Sequence, residues 1–168
     1  MTTYRLTPSE SVTVVSDHPD ALEVEAVYGP GGTPPPAHLH PAQDERFEVL
    51  EGALTIRVDG AQRVLAAGET IEVPRGVPHQ MWNAAATPAR VAWRTSPAGR
   101  TGTWYATLDR LQREGRVGKD GMPGPLAFAV YLTEFRDVFR LHAGPLTPVV
   151  SAALRALAPV GRLRGYRP

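Results

Sequence analysis

The chain has 168 residues and no cysteine, so it can bury a hydrophobic core without disulfides, and thiolate metal ligands and cysteine nucleophiles are excluded. Its 18 basic and 17 acidic residues leave a formal charge of only +1, which provides no overall positive field to attract nucleic acid. His, Asp and Glu side chains therefore remain as candidate ligands for a metal site.

The N-terminal segment MTTYRLTPSESV lacks the basic stretch followed by an apolar run that a secretory signal requires. No uncharged apolar segment approaches the roughly 20 residues that a membrane-spanning helix needs. We therefore expect a cytoplasmic protein that has neither a membrane nor a nucleic acid as its partner. The basic C-terminal sequence GRLRGYRP is interpreted as a solvated tail.

The first hundred residues contain short runs rich in β-branched residues, separated by glycines and prolines. These runs are SVTVVS, LEVEAVYG, ALTIRVDGAQRVL, ETIEVP and ARVAWR. In the third run, apolar and polar residues alternate up to the Asp59-Gly60 pair, which predicts an antiparallel hairpin. Many short strands at this spacing predict an all-β sandwich or barrel.

After residue 100 the apolar residues recur at steps of three and four, which is typical of helices. A short helix is predicted over TWYATLDRLQRE. A second helix is predicted to start near Pro123 and Pro125 and to stop at Gly144. Its apolar stripe consists of Phe128, Tyr131, Leu132, Phe135, Val138, Phe139 and His142.

A third helix is predicted to end at Pro159 and Gly161. Its stripe consists of Leu146, Val149, Val150, Ala153, Leu154 and Leu157. We accordingly divide the chain into a β-barrel domain, residues 1–98, and an α-helical extension, residues 99–168. Because the apolar stripes must be covered, the extension is predicted to pack on the barrel or on the second chain of a homodimer.

Three histidines and one glutamate are the candidate metal ligands. If the sequence AHLH is extended, His38 and His40 project from the same face of the strand. Glu45 follows after a bend, and a stiff turn rich in proline and glycine precedes His79. Three imidazoles and a carboxylate suit Fe(II), Mn, Ni, Zn or Cu and leave a coordination position for water or substrate.

The spacing of these residues resembles the two motifs of the cupin superfamily. The first motif is matched by Gly32, His38, His40, Glu45 and Gly52, and the second by Gly68, Pro74, Gly76, His79 and Asn83. The resemblance implies a double-stranded β-helix, or jelly-roll barrel, in which His38, His40, Glu45 and His79 bind the metal. It does not cover residues 100–168.

Strand parity places Phe47, Val49 and Met81 on the same side as Glu45 and His79, so they are predicted to line a substrate pocket beside the metal. Simple core packing is the alternative, particularly for Val49. Asn83 is expected to brace the barrel by hydrogen bonds. Tyr28 and Gln80 are the nearest candidate polar groups.

The ligand set predicts a metal-dependent protein that acts on a small organic substrate. Oxygenase-type chemistry, as in an Fe(II)-type dioxygenase, is favoured because an open metal can hold oxygen and substrate together. Lewis-acid chemistry in an isomerase, cyclase or lyase is one alternative. The other alternative is a cupin that binds a small ligand without catalysis.

Overall fold

The computed structural model describes residues 1–119 and 121–167. The strands of these residues are β1 (Thr3–Thr7), β2 (Glu10–His18), β3 (Ala21–Tyr28), β4 (His38–Leu39), β5 (Asp44–Glu51), β6 (Ala53–Val58), β7 (Ala61–Ala66), β8 (Thr70–Val73), β9 (His79–Trp82), β10 (Ala89–Ser96) and β11 (Arg140–Leu141). The helices are α1 (Thr101–Arg113), α2 (Pro125–Glu134) and α3 (Thr147–Leu163), with a short 3-10 helix at Gly144–Leu146.

The strands form two antiparallel sheets. One sheet has the order β1-β2-β3-β10-β5-β8, and the other has the order β11-β4-β9-β6-β7. Side chains from both sheets contribute to one hydrophobic core. This arrangement confirms the predicted all-β jelly roll followed by a helical part, although the two sheets are not joined into a closed barrel.

Strand β3 illustrates how the alternating sequence builds the core. Leu22, Val24, Ala26 and Tyr28 are buried, while the residues between them are less so. A strand with this period buries one face, and each large apolar side chain removed from water contributes about 1.5–3 kcal/mol before entropy is subtracted. Because β3 lies between β2 and β10, its buried face is at the centre of the six-stranded sheet.

The chain passes from one sheet to the other at Gly52, between β5 and β6. Its φ angle is +76°, and a Cβ atom at this position would lie 2.5 Å from the carbonyl oxygen of Pro88. Only glycine combines this backbone conformation with such a close approach. The glycine that ends the first motif is therefore required by the turn and carries no chemistry itself.

Helix α1 lies close to the sequence range predicted for it and packs on β1. Trp104, Tyr105 and Leu111 are buried in the common core. The Asp109 carboxylate accepts a hydrogen bond from the Arg5 backbone N–H at 3.0 Å. The division of the chain at residues 98 and 99 remains a prediction, but these contacts show that α1 is tied to the sheet.

The prediction that the second helix reaches Gly144 is wrong. Helix α2 ends at Glu134, and β11 follows and pairs with β4, placing Leu141 opposite His38. At this end the Glu134 carbonyl oxygen, which has no partner within the helix, accepts a hydrogen bond from the Arg100 Nη2 at 2.5 Å. His142 is consequently not at a helix end.

The prediction that the third helix ends at Pro159 and Gly161 is also wrong, since α3 includes both residues and continues to Leu163. Proline removes one helical hydrogen bond, but tight packing on α2 keeps the chain helical. A Cβ atom on Gly161 would lie 2.6 Å from the Leu126 carbonyl oxygen, so the two helices touch through backbone at this point. Among the described residues, no helix is both long and apolar enough to cross a bilayer.

Candidate metal centre

Elements of both sheets bring the predicted ligands together. His38 lies in β4 directly opposite His79 in β9, His40 follows β4, and Glu45 projects from β5. One ring nitrogen from each of the three histidines lies within 4.8 Å of the other two. The three imidazoles could therefore hold one metal ion.

Backbone carbonyls orient all three rings. The Nδ1 of His40 donates a hydrogen bond to the Val138 carbonyl oxygen at 2.6 Å. The Nδ1 of His79 donates to the Val77 carbonyl oxygen at 3.0 Å, and the Nδ1 of His38 donates to that of Pro36 at 3.2 Å. A carbonyl oxygen can only accept, so each Nδ1 carries the proton and each Nε2 keeps a free lone pair. This pattern is typical of metal-binding histidines.

The Glu45 carboxylate completes the cluster. Its Oε1 accepts a hydrogen bond from the Trp93 indole N–H at 3.0 Å. Its Oε2 lies 3.0 Å from the Nε2 of His79 and 3.3 Å from the Nε2 of His40. Because both nitrogens are acceptors in the tautomer set by the carbonyls, these short distances are not hydrogen bonds.

Three buried polar atoms of the cluster are thus without a hydrogen-bond partner among the described residues: Glu45 Oε2, His40 Nε2 and His79 Nε2. Leaving a buried polar atom unsatisfied costs about 1–3 kcal/mol. A divalent cation between these atoms would satisfy all three, and nitrogen and carboxylate donors suit such an ion. The residues present therefore fit a metal.

The pKa shifts of the cluster favour the metal-binding protonation state for His38 and Glu45, whereas His79 has a stabilised proton that a metal must displace. Burial, together with the nearby His79 and His40, holds the pKa of His38 well below its usual value. Burial raises the pKa of Glu45, but His40, His79 and the Trp93 N–H outweigh burial and lower it. Burial lowers the pKa of His79, but the Glu45 carboxylate outweighs burial and raises it.

The segment between α2 and β11 covers the cluster, a role that its helical sequence pattern did not indicate. The Phe139 ring stacks on the His38 ring, with 4.4 Å between centroids and 16° between planes. The neighbouring Val138 supplies the carbonyl that holds His40. Placing both residues on a helix concealed this function, and only the pairing of β11 with β4 reveals it.

A mainly apolar cavity of about 130 Å³ lies beside the imidazoles. Its lining includes His38, His40 and the predicted Met81. Its aromatic walls are Tyr28, Trp93, Trp104, Tyr105, Phe128 and Phe139. The cavity can therefore hold a small apolar or aromatic molecule next to the candidate metal ligands.

The lining does not include Phe47 or Val49, which have no exposed surface and pack in the core. The Phe47 ring lies behind Trp93, with 5.3 Å between their centroids, so Trp93 reaches the cavity where Phe47 was expected. The alternation in ARVAWR could have identified Trp93 as an inward residue.

The other polar residues that the sequence suggested lie in different places. Tyr28 lines the cavity, whereas Gln80 donates to the Pro35 carbonyl oxygen at 2.5 Å and accepts from Arg57 at 3.1 Å. Asn83 braces the fold as expected, because its Nδ2 donates to the carbonyl oxygens of Tyr28 at 3.2 Å and Thr87 at 2.7 Å.

Comparisons with known proteins agree with this geometry. The chain is 38% identical over 90 residues to the tetracenomycin polyketide synthase protein TcmJ of Streptomyces glaucescens, covering 54% of each chain. It is 39% identical over 70 residues to oxalate oxidase 1 of Hordeum vulgare, covering 37% of this chain and 34% of the oxidase. The match thus spans about half or less of these curated relatives.

Solved structures share the fold. KdgF from Halomonas sp. superposes with a TM-score of 0.54 at 20% identity, covering 61% of this chain and 93% of that chain. The protein TT1209 from Thermus thermophilus superposes with a TM-score of 0.51 at 28% identity, covering 56% and 90%. Residues 24–94 match the cupin domain family, and with both motifs and the jelly roll in place this part of the chain belongs to the cupin superfamily.

Proposed function

We propose that this protein binds one divalent metal ion through His38, His40, His79 and Glu45 and acts on a small organic molecule held beside it. The observation that carries the proposal is the convergence of buried donor atoms that have no other partner among the described residues. When bound, the metal would supply Lewis acidity or redox chemistry at its open position.

The surrounding residues have separate tasks in this proposal. Trp93 fixes one carboxylate oxygen of Glu45, so that the other oxygen stays directed at the imidazoles. Phe139 covers His38 and limits the access of water. The aromatic walls of the cavity bind the apolar part of the substrate and orient it towards the open position.

Oxygenase-type chemistry, with Fe or Mn as the leading metals, is the subclass that we propose. Oxalate oxidases and a polyketide synthase protein among the similar proteins support an enzyme rather than a passive binder. Ni, Zn and Cu suit the same donors, and with them the non-redox isomerase, cyclase or lyase alternative would apply.

Metal analysis of protein purified without added metal tests this proposal. We expect about one equivalent of a divalent metal per chain, because the three imidazoles form a single group and Glu45 lies beside two of them. Oxygen uptake by the Fe(II)-loaded and Mn(II)-loaded forms is then measured with phenolic, keto-acid and thiol compounds, using chelated protein as the control. Turnover without oxygen uptake would select the non-redox alternative, and metal binding without turnover would select the ligand-binding one.

We also propose that the protein forms a homodimer through α3. One side of this helix packs on α2, while the side facing solvent carries an apolar row. The exposed members of this row and its continuation at the N-terminal end of the helix are Leu146, Val149, Leu157, Val160 and Leu163. A row along about 25 Å of helix can pair with its own copy across a two-fold axis.

Sedimentation of Val149→Glu/Val160→Glu protein tests the homodimer. We expect the wild-type chain to sediment as a dimer and the double variant as a monomer, because buried carboxylates would face each other across the axis. Arg155→Glu places the same charge on another side of α3 and should leave the dimer intact. A monomeric wild-type protein would contradict the proposal.

The predicted cytoplasmic location and lack of a nucleic-acid partner rest on the sequence alone.

A further inference from the structure

A carboxylate occupies an inward position of the sheet next to the cavity. Glu10 starts β2, on the same face as the buried Val12 and the partly buried Val14. Its partner directly opposite on β3 is Tyr28, so the two side chains lie side by side. The Tyr28 hydroxyl and the Glu10 carboxylate are near enough for each to alter the pKa of the other. A carboxylate at such a position costs stability that an apolar residue would not.

Both groups face the space that the candidate metal ligands line. Glu10 and Tyr28 belong to the cavity wall that also contains His38 and His40. The Tyr105 hydroxyl is close enough to add to the charge effects on Tyr28. The cavity is therefore apolar in most of its lining but carries one concentrated polar patch, apart from the metal ligands.

The size and polarity of the cavity define what it can hold. A cavity of about 130 Å³ accommodates roughly one six-membered ring. Beside an ionised carboxylate, a tyrosine hydroxyl can act only as the donor. The carboxylate and the phenolic oxygen then have only lone pairs left to offer, so the patch accepts hydrogen bonds from a ligand.

We propose that Glu10 and Tyr28 form a recognition site for the hydroxyl group of a ring-sized, phenol-like ligand, whose ring lies between the aromatic walls of the cavity. The inference rests on the proposed function only for the ligand's place beside His38 and His40, since ring and hydroxyl recognition do not require a metal. It assigns specificity to two residues that lie outside both cupin motifs.

The electrostatics of the pair support this role. Desolvation raises the pKa of Glu10 to about 7, although the bond from Tyr28 opposes the change. Desolvation and the neighbouring acids raise the pKa of Tyr28 well above its usual value. One hydrogen bond from tyrosine thus does not fully compensate the carboxylate, and a ligand hydroxyl would provide a second.

Phenol and toluene are matched probes because they differ only in a hydroxyl against a methyl group. Binding is followed by NMR at pH 8, where Glu10 is ionised, through the indole N–H signals of Trp93 and Trp104 in the cavity wall. The full-length protein should bind phenol at least about 10-fold more tightly than toluene, since phenol can donate a hydrogen bond to the polar patch and toluene cannot. Equal affinities, or no binding of either probe, would overturn the inference.

Three variants assign the preference to specific side chains. Glu10→Gln should remove most of the phenol preference while leaving toluene affinity within about 2-fold of wild type. Tyr28→Phe removes a competing donor to the carboxylate, so it should preserve or increase the preference. Glu72→Gln, an exposed glutamate on β8, should preserve the preference. All titrations are repeated with Zn(II) and after chelation. A preference that survives Glu10→Gln, that is lost in Tyr28→Phe, or that requires Zn(II) would overturn the assignment, whereas loss of metal binding alone would contradict only the proposed function.

Discussion

Replacing His79 by alanine is expected to lower the affinity for divalent metal by more than about 100-fold, because losing a ligand costs more than losing a partner that merely orients one. His79 is 2% exposed, and its Nε2 has no alternative partner among the described residues. The substitution also leaves the Glu45 carboxylate with one imidazole fewer beside it. Metal content after dialysis and competition with a chromophoric chelator measure the effect.

The matched control is His18→Ala, which removes an exposed imidazole outside the cluster and should leave the affinity unchanged. Glu45→Gln gives a second readout, since it preserves the side-chain size but replaces an anionic donor with a weak one. Circular dichroism verifies that each variant is folded. Wild-type metal affinity in a folded His79→Ala protein would remove this residue from the ligand set.

The strands and the candidate ligands could be predicted because both depend on local spacing. Alternation of apolar and polar residues fixes which side chains face inward, and two histidines two positions apart in an extended segment share a face. His38 lies in β4, its ring 5.2 Å from that of His40. The long-range convergence of His79 and Glu45 came from the motif resemblance, since spacing alone does not determine it.

The end of α2 could not be predicted from spacing. Phe135, Val138 and Phe139 continue the helical period, but the chain leaves the helix at Glu134, whose carbonyl oxygen is bound by Arg100 from about 35 positions earlier. The residues that follow the helix form a strand next to β4 and place an aromatic ring over His38. Tertiary contacts of this kind override a local pattern, and the sequence carries no local signal for them.

Glu10 shows the opposite situation, in which a signal was present and was overlooked. The run ESVTVV places Glu10 on the same strand face as two valines, so its inward position follows from the period. An acidic residue in an inward row contradicts the local pattern, and such contradictions concentrate at functional sites. The pairing with Tyr28 required the register between β2 and β3, which the sequence alone does not specify.

The Glu10→Gln variant is expected to change how the stability of the protein depends on pH. The pKa of Glu10 is raised from 4.5 to about 7 in the folded state by desolvation. Between these values the folded chain binds more protons than the unfolded chain, so the free energy of unfolding of the wild type falls as the pH rises from 4.5 through 7. The contribution from this residue is at most about 3 kcal/mol, and its partial exposure reduces it.

Groups around Glu10 must be unchanged for the comparison to be valid. In the cavity these are Tyr28 and Tyr105, and in the grooves on its outer side they are Arg5, Asp109, Arg113 and Lys119. All of them are retained in both proteins, as are the buried histidines. Subtracting one stability profile from the other therefore isolates the titration of Glu10, and Glu72→Gln reports the effect of removing an exposed carboxylate.

Urea denaturation of the chelated proteins between about pH 5 and pH 8.5 provides the measurement, with the unfolding free energy obtained by linear extrapolation. Glutamine has no charge to desolvate, so the variant should gain stability relative to the wild type as the pH rises and should be the more stable protein above pH 7. The difference should level off once Glu10 is ionised in both states. If the Glu10→Gln and wild-type profiles run parallel across this range, the carboxylate is as well solvated in the folded chain as in the unfolded one, and it cannot form the desolvated patch that hydroxyl recognition requires.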